Sequence, residues 1–195
     1  MDRSALRRQL RRRRQSLTRH QQQRAARRLA AVVLRRPELR RVQHIALYLP
    51  QDGEISPLPL VNELLARGKC VYLPVLRPGS LLRFRRFPAA RMRRNRFGIA
   101  EPLGRDVRPE HLDLVFLPLV GFDRYGGRLG MGGGYYDRSF AFVRSGRVRR
   151  PLLVGLGHAF QEVERLPIEP WDVPLAAIAT ERRWLAIGRF AQTLS

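Results

Sequence analysis

Apolar residues along this chain switch between helical and strand-like spacing, and each switch marks an element. Leu6, Leu10, Leu17, Leu29, Val32 and Val33 fall at spacings that fit an apolar stripe on one or two N-terminal helices, with arginines on the opposite faces. Short apolar runs follow. Residues 44–49 (HIALYL) read as a strand, 57–67 as a helix capped by Ser56 and closed by Gly68 at C′, and 69–76 as a second strand. That is a βαβ unit. Residues 81–87 read as an extended segment, 112–117 (LDLVFL) as a buried strand ended by Pro118, and 135–143 (YYDRSFAFV) as a helix. Strands are predicted at 151–155, 176–180 and 184–187.

Alternating strands and helices predict an α/β fold: one three-layer domain, with a mostly parallel sheet covered by helices on both faces. Ligands of such sheets gather at the carboxyl ends of the strands. Glu54 follows the first strand, a glycine-rich loop follows strand 112–117, and Asp172 follows strand 151–155. These groups are therefore expected to converge on one cleft, although Glu54 and Asp172 also read as plain loop acids.

Composition fits one domain over 1–195, with 1–41 as a basic helical segment packed on the core. The chain is 44% hydrophobic and its single cysteine, Cys70, excludes an internal disulfide. No apolar run approaches the roughly 20 residues of a membrane span. A cytoplasmic protein without a membrane partner, acting as a monomer, is expected. The formal charge is +22, and residues 1–41 hold 15 arginines against only Asp2 and Glu38. A second run comprises Arg83, Arg85, Arg86, Arg91, Arg93, Arg94 and Arg96. Such charge suits nucleic acid only non-specifically, because no zinc spacing, RNP-type aromatic platform or heptad zipper accompanies it. The one lysine, Lys69, against so many arginines points to a bias acting on the whole chain.

Residues 126–138 (GGRLGMGGGYYDR) carry six glycines, two arginines, two tyrosines and a carboxylate at a helix start. Glycine lets backbone N–H groups approach an anion, and a following helix adds its positive end. Walker A spacing is excluded by the lack of a lysine, and Gly-x-Gly-x-x-Gly by Tyr135 at its last position. A tight turn whose Tyr135 and Tyr136 pack in the core remains the alternative.

Phe122-Asp123, Gly126, Arg128-Leu129-Gly130, Gly132, Gly134 and Tyr135-Tyr136-Asp137-Arg138 resemble the signature loop of the 5-formyltetrahydrofolate cyclo-ligases. The likeness continues in order through Arg3 and Arg7, Leu49 with Gly53-Glu54-Ile55, Pro74, Gly98-Ile99, Glu101-Pro102, Gly155-Leu156, Gln161, Asp172 and Thr180-Glu181. It begins at Arg3, so no removable leader is expected.

The resemblance implies an enzyme that uses MgATP to close 5-formyltetrahydrofolate to 5,10-methenyltetrahydrofolate, releasing ADP and phosphate. Arg3, Arg7 and the run Arg128, Leu129, Gly130, Met131, Gly132, Gly133, Gly134, Tyr135 and Tyr136 match the family's ATP positions, with Arg128 and Tyr135 implied in catalysis. Leu49, Glu54 and the stretch from Met131 to Tyr135 match folate positions. Asp137 and Asp172 match the Mg²⁺ positions. Arg3 stands where the family usually has lysine, and Met131 where many members have a polar or basic residue; a planar fork and a point charge are not equivalent. Folates carry polyglutamate tails, so the 83–96 arginines are expected to favour longer ones through charge. No histidine reads as catalytic, and His158, in a loop after Gly157, is the nearest to a site.

Overall fold

The computed structural model describes residues 2–145 and 150–187; residues 1, 146–149 and 188–195 of the expected domain lie outside the described residues. Helix α1 (Arg3–Gln15) opens at Asp2, whose carboxylate accepts the Ser4 N–H at 2.8 Å. Helix α2 (Arg19–Leu34) opens on a capping box in which Thr18 and Gln21 satisfy each other's backbone N–H. The remaining helices are α3 (Leu58–Ala66) and α4 (Tyr135–Ser139). The strands are β1 (His44–Ala46), β2 (Cys70–Arg77), β3 (Leu81–Phe87), β4 (Met92–Arg94), β5 (Ala100–Pro102), β6 (Leu114–Pro118), β7 (Gly121–Phe122), β8 (Arg128–Leu129), β9 (Leu152–Leu156), β10 (Ala177–Ala179) and β11 (Trp184–Ala186).

Seven of these strands form one sheet in the order β11-β10-β9-β6-β1-β2-β3. The five inner strands run parallel, and the edge strands β3 and β11 pair antiparallel. The expected mostly parallel α/β sheet is therefore present. Because side chains alternate across a strand, each inner strand feeds two cores. Ile45, Leu114, Phe116, Val154 and Ala177 pack with Leu29 and Val33 of α2 and Leu60 and Leu64 of α3. Ala46, Val115, Leu117, Leu153 and Ile178 face the other way, onto Phe140, Val173 and Leu175. The hairpins β4–β5 and β7–β8 lie outside the main sheet.

Three local expectations shift. The β1 ladder stops at Ala46 instead of reaching Leu49, although Leu47 N–H still donates to Tyr72 O at 3.0 Å before the chain turns away at Pro50. The α3 cap is Pro57 and not Ser56, whose hydroxyl instead accepts the Leu58 N–H at 3.3 Å. The helix expected over 135–143 is α-helical only to Ser139 and continues as a 3₁₀ turn over Ala141–Ser145. Tertiary packing breaks it: the Ser139 hydroxyl accepts the Leu82 N–H at 2.8 Å, and Phe140 leaves helical geometry to bury its ring against Phe84, Tyr136 and Phe142. Gly68 does close α3 from a left-handed φ of 71°, with Gly68 N–H on Leu65 O and Lys69 N–H on Leu64 O.

Leu29 ties α2 to the sheet with no exposure. Its replacement by alanine is expected to cost about 2–5 kcal/mol, read from urea unfolding with an unchanged slope.

Candidate functional site

The chain passes from β1 through α3 to β2 on one side of β1, while β6, β9 and β10 build outward on the other. The direction of winding reverses between β1 and β6, and a reversal of this kind leaves a crevice at the carboxyl ends of the two strands. A cleft of about 1130 Å³ opens there. Its walls come from residues after β1, the end of β6, the glycine loop, helix α1, the β4–β5 hairpin and the 171–172 segment.

Arg3, Arg7, Leu49, Glu54, Arg128, Gly130, Met131, Gly132, Gly133, Gly134, Tyr135, Tyr136, Asp137 and Asp172 all line this cleft. Leu129 does not. In β8 successive side chains point to opposite sides, so Arg128 faces the cleft and Leu129 is fully buried with Leu10, Val120 and Leu166. Only its backbone remains near the loop.

The glycine loop begins as the hairpin β7–β8, an element that glycine content alone conceals. Buried Asp123 pins its turn by accepting the N–H groups of Tyr125, Gly127 and Leu166 at 2.7–2.8 Å. Any Cβ at Gly127 would meet the Asp123 carboxylate at 2.4 Å, so only glycine fits. Gly134, at φ 61°, forms the N-cap of α4. Helix α1 rests on this loop: Arg7 Nε donates to Gly130 O at 2.8 Å, while Arg3 reaches Glu169 Oε1 at 3.3 Å and Arg128 O at 3.5 Å.

Arg128 and Asp137 form an ion pair, and Arg128 also donates to Val173 O. Asp137 uses the same Oδ1 for Arg128 and for Val173 N–H at 3.2 Å, and Asp172 uses Oδ2 for Glu169 N–H at 3.0 Å. Among the described residues no cluster of three or more His, Cys, Asp or Glu forms a metal cage. Two cleft carboxylates fit a hard ion such as Mg²⁺, which draws its other ligands from water and phosphate.

Sequence reasoning missed the most densely bonded part of the site. Arg14, on a helix whose arginines were expected to face solvent, is completely buried. Its Nε donates to Asp52 O and its Nη2 to Asp52 Oδ2, both at 2.6 Å, and Arg11 Nε adds a bond to Oδ2 at 2.7 Å. Gln15 also donates to Asp52. These donors hold the Asp52 carboxyl at about 2, against the opposing effect of its burial. Two residues on, the Glu54 side chain is only 10% exposed, and burial pushes its carboxyl up to about 7. The signal was present in the spacing: Arg3, Arg7 and Arg14 stand four and seven residues apart, on one face of a helix.

The rim falls in the stretch that the sequence marks by its 83–96 arginines and by Gly98-Ile99 and Glu101-Pro102. Asn95, Phe97, Ile99 and Glu101 of the β4–β5 hairpin line the cleft. Arg96 Nη2 donates to the Tyr135 hydroxyl at 2.9 Å, and the Phe97 ring meets that of Tyr135 edge-on at 6.4 Å. Trp171, 59% exposed, also lines the cleft. His158 is buried behind the site, its Nε2 3.2 Å from Gly53 O, and supports the Asp52–Gly53 turn without lining the cleft.

A ligand cleft at the point of strand reversal is the mark of an open-sheet α/β enzyme. The chain belongs to the 5-formyltetrahydrofolate cyclo-ligase family, whose model matches residues 1–181. It is 46% identical over 144 residues to the 5-formyltetrahydrofolate cyclo-ligase of Haemophilus influenzae, covering 71% of this chain and 75% of that protein. The Escherichia coli K12 protein of the same name is 43% identical over 150 residues, 74% and 81% of the two chains. The solved 5,10-methenyltetrahydrofolate synthetase of Aquifex aeolicus superimposes with a TM-score of 0.82 at 35% identity, over 97% of this chain and 95% of that one.

The two carboxyls predict opposite pH effects on stability. The folded Glu54 value of about 7 lies above the ordinary 4.5, so stability falls as pH rises through that interval and the cost is complete above pH 7. Glu54→Gln should melt higher than the parent at pH 8 and match it near pH 4. Asp52, held at about 2 against an ordinary 3.8, contributes stability above pH 4 that disappears as pH falls to 2. Asp52→Asn should lose about 2 kcal/mol or more at pH 7 in urea unfolding, with the gap closing near pH 2.

Proposed function

We propose that this protein converts 5-formyltetrahydrofolate to 5,10-methenyltetrahydrofolate in an ATP- and Mg²⁺-dependent reaction that releases ADP and phosphate. One observation carries the reading: the glycine loop, the Arg3–Arg7 face of α1, Leu49, Glu54 and both aspartates meet in one cleft. Its volume of about 1130 Å³ lies above the roughly 300–1,000 Å³ range of single-ligand pockets, which supports a site for two substrates.

The chemistry assigns roles along the walls. The formyl oxygen is a poor leaving group as an amide. It attacks the γ-phosphorus of ATP, ADP departs, and the folate N10 then attacks the activated carbon, expelling phosphate and giving up its proton. Backbone N–H groups of Gly130, Gly132, Gly133 and Gly134 cradle phosphate oxygens, while Arg3 and Arg7 hold the nucleotide from α1. Arg128 faces the charge that develops on transfer, and Tyr135 offers its ring to the folate. Leu49 covers the pterin, and the Glu54 carboxylate accepts pterin N–H donors. Asp137 and Asp172 would hold Mg²⁺, which supplies screening of phosphate charge. The protein otherwise contributes position and electrostatics, as phosphoryl transfer requires.

The exposed Arg91 and, in β4, Arg93 and Arg94 stand at the hairpin that forms the rim, which supports attraction of polyglutamate tails and, more weakly, of nucleic acid. A monomer in the cytoplasm completes the reading; among the described residues no helix is long and apolar enough to cross a membrane.

Purified protein with 5-formyltetrahydrofolate, Mg²⁺ and ATP should show the near-ultraviolet absorbance of the methenyl product, and none without ATP. Asp137→Asn should lower kcat by about 100-fold or more, the scale of losing charge stabilisation in the transition state. Full turnover by that variant would remove Asp137 from the reaction. No turnover by well-folded parent protein would sink the reading altogether.

A further inference from the structure

Arg14 presents a puzzle that the fold alone does not answer. A buried guanidinium costs several kcal/mol unless its charge and its N–H groups are met. Here Asp52 meets Nε and Nη2, yet Nη1 is buried without a hydrogen-bond partner, and Nη2 also lies 3.8 Å from Glu54 Oε1 and 3.8 Å from Met131 Sδ. The cation therefore stands between the Asp52–Glu54 turn on one side and the glycine loop on the other.

The turn is built to receive it. Gly53 sits at φ 75°, and a Cβ there would come within 2.7 Å of Arg14 O, so the turn packs directly on the α1 backbone. Gln22 Nε2 bridges Arg14 O at 3.2 Å and Gly53 O at 3.0 Å. Glu54 Oε2 accepts the Gln51 N–H at 3.0 Å, which orients the carboxylate. Oε1 faces Arg14 across 3.8 Å, a separation that is an ion pair but not a hydrogen bond, and so it keeps its capacity to accept a ligand N–H.

We propose that Arg14 is the positioning residue of the folate wall: it clamps the Asp52–Gly53 turn to α1 and holds Glu54 in the cleft as a carboxylate, ready for the N–H donors of the pterin. This rests on the reading of Glu54 as a folate contact. The charged and titratable groups facing Glu54 are Arg14 from α1, Asp52 from its own turn, Tyr48 beyond β1 and Tyr136 from α4. Burial raises both tyrosine hydroxyls, so they stay neutral, and Asp52 is a like charge. Arg14 is the one cation within 4 Å of Glu54 among the described residues. Together with the Gln51 N–H, it opposes the burial that favours the protonated form. Protonation would place a donor where the pterin also presents donors.

The test compares Arg14→Met, Glu54→Gln and the double variant with the parent, using both the Glu54 carboxyl ¹³C titration and steady-state kinetics from pH 6 to 9. Loss of a cation at this range raises a carboxyl pKa by one unit or more, so the Glu54 titration should move up by at least that much in Arg14→Met. The KM for 5-formyltetrahydrofolate should rise about fivefold at pH 7, where a one-unit shift from about 7 cuts the ionised fraction from about one half to about one eleventh, and approach the parent value at pH 9, while the KM for ATP stays within about twofold. In the Glu54→Gln background Arg14→Met should change the folate KM by less than about twofold, as expected when one residue acts through the other. Arg14→Lys keeps the charge at shorter reach, and its Glu54 titration should shift upward by a smaller amount; it carries the measurement should Arg14→Met fail to fold.

An unmoved Glu54 titration in both variants overturns the proposal, as does a loss of folate affinity that is equal at every pH and equal in both backgrounds, the signature of a purely structural role. If Glu54→Gln leaves the folate KM unchanged, Glu54 is not a folate contact and the proposal falls with that reading. A shifted titration would in that case still identify Arg14 as the group that ionises Glu54. The two failures are thereby distinguishable.

Discussion

The cleft depends on one constraint, the side-by-side parallel pairing of β1 and β6. Consecutive parallel strands need a crossover connection, so winding outward in both directions from this pair leaves their carboxyl ends uncovered. Two functional segments are continuations past that open edge. The Asp52–Glu54 turn continues from β1, and the β7–β8 hairpin and glycine loop continue from β6. Moving the reversal elsewhere in the sheet would separate these two walls, and no loop chemistry would restore the site.

Helix α1 joins the walls. It is not a strand partner and contributes little to the main cores, yet its bonds reach the glycine loop through Arg7 and the Asp52 turn through Arg11, Arg14 and Gln15. The strong positive charge of the N-terminal segment thus divides into two kinds. Arg8, Arg12 and Arg13 are exposed, where isolated charges contribute little to stability. Arg14 is buried between two carboxylates, one held strongly acidic by its hydrogen bonds and the other pushed toward neutrality by burial. The same residue type has different energetic meaning two positions apart, because burial and partners set the effective dielectric.

The fold was legible wherever periodicity speaks directly: the β1–α3–β2 unit, the apolar runs of β6 and β9, and the glycine that closes α3. The cleft lining was legible where residue type and spacing are distinctive, as in residues 126–138 with Asp137, and in Glu54 and Asp172 in loops that follow strands. Where neighbours decide, the signal failed. The helix after the glycine loop ends early because Phe140 turns into the core and Ser139 is taken by Leu82 of a distant strand. Leu129 sits inside a motif of cleft residues and still belongs to the core, since strand alternation sends it the other way.

The sequence by itself determined the mostly parallel α/β sheet through its hydrophobic period and the likeness to the family through its glycine-loop motif, because both are local properties of the chain. Tertiary structure alone decided that Arg14 would be buried, that Arg128 would pair with Asp137, and that Arg96 and Phe97 would meet Tyr135. Those outcomes are contacts between residues far apart in the chain, and their energy depends on burial and distance, which no local pattern records.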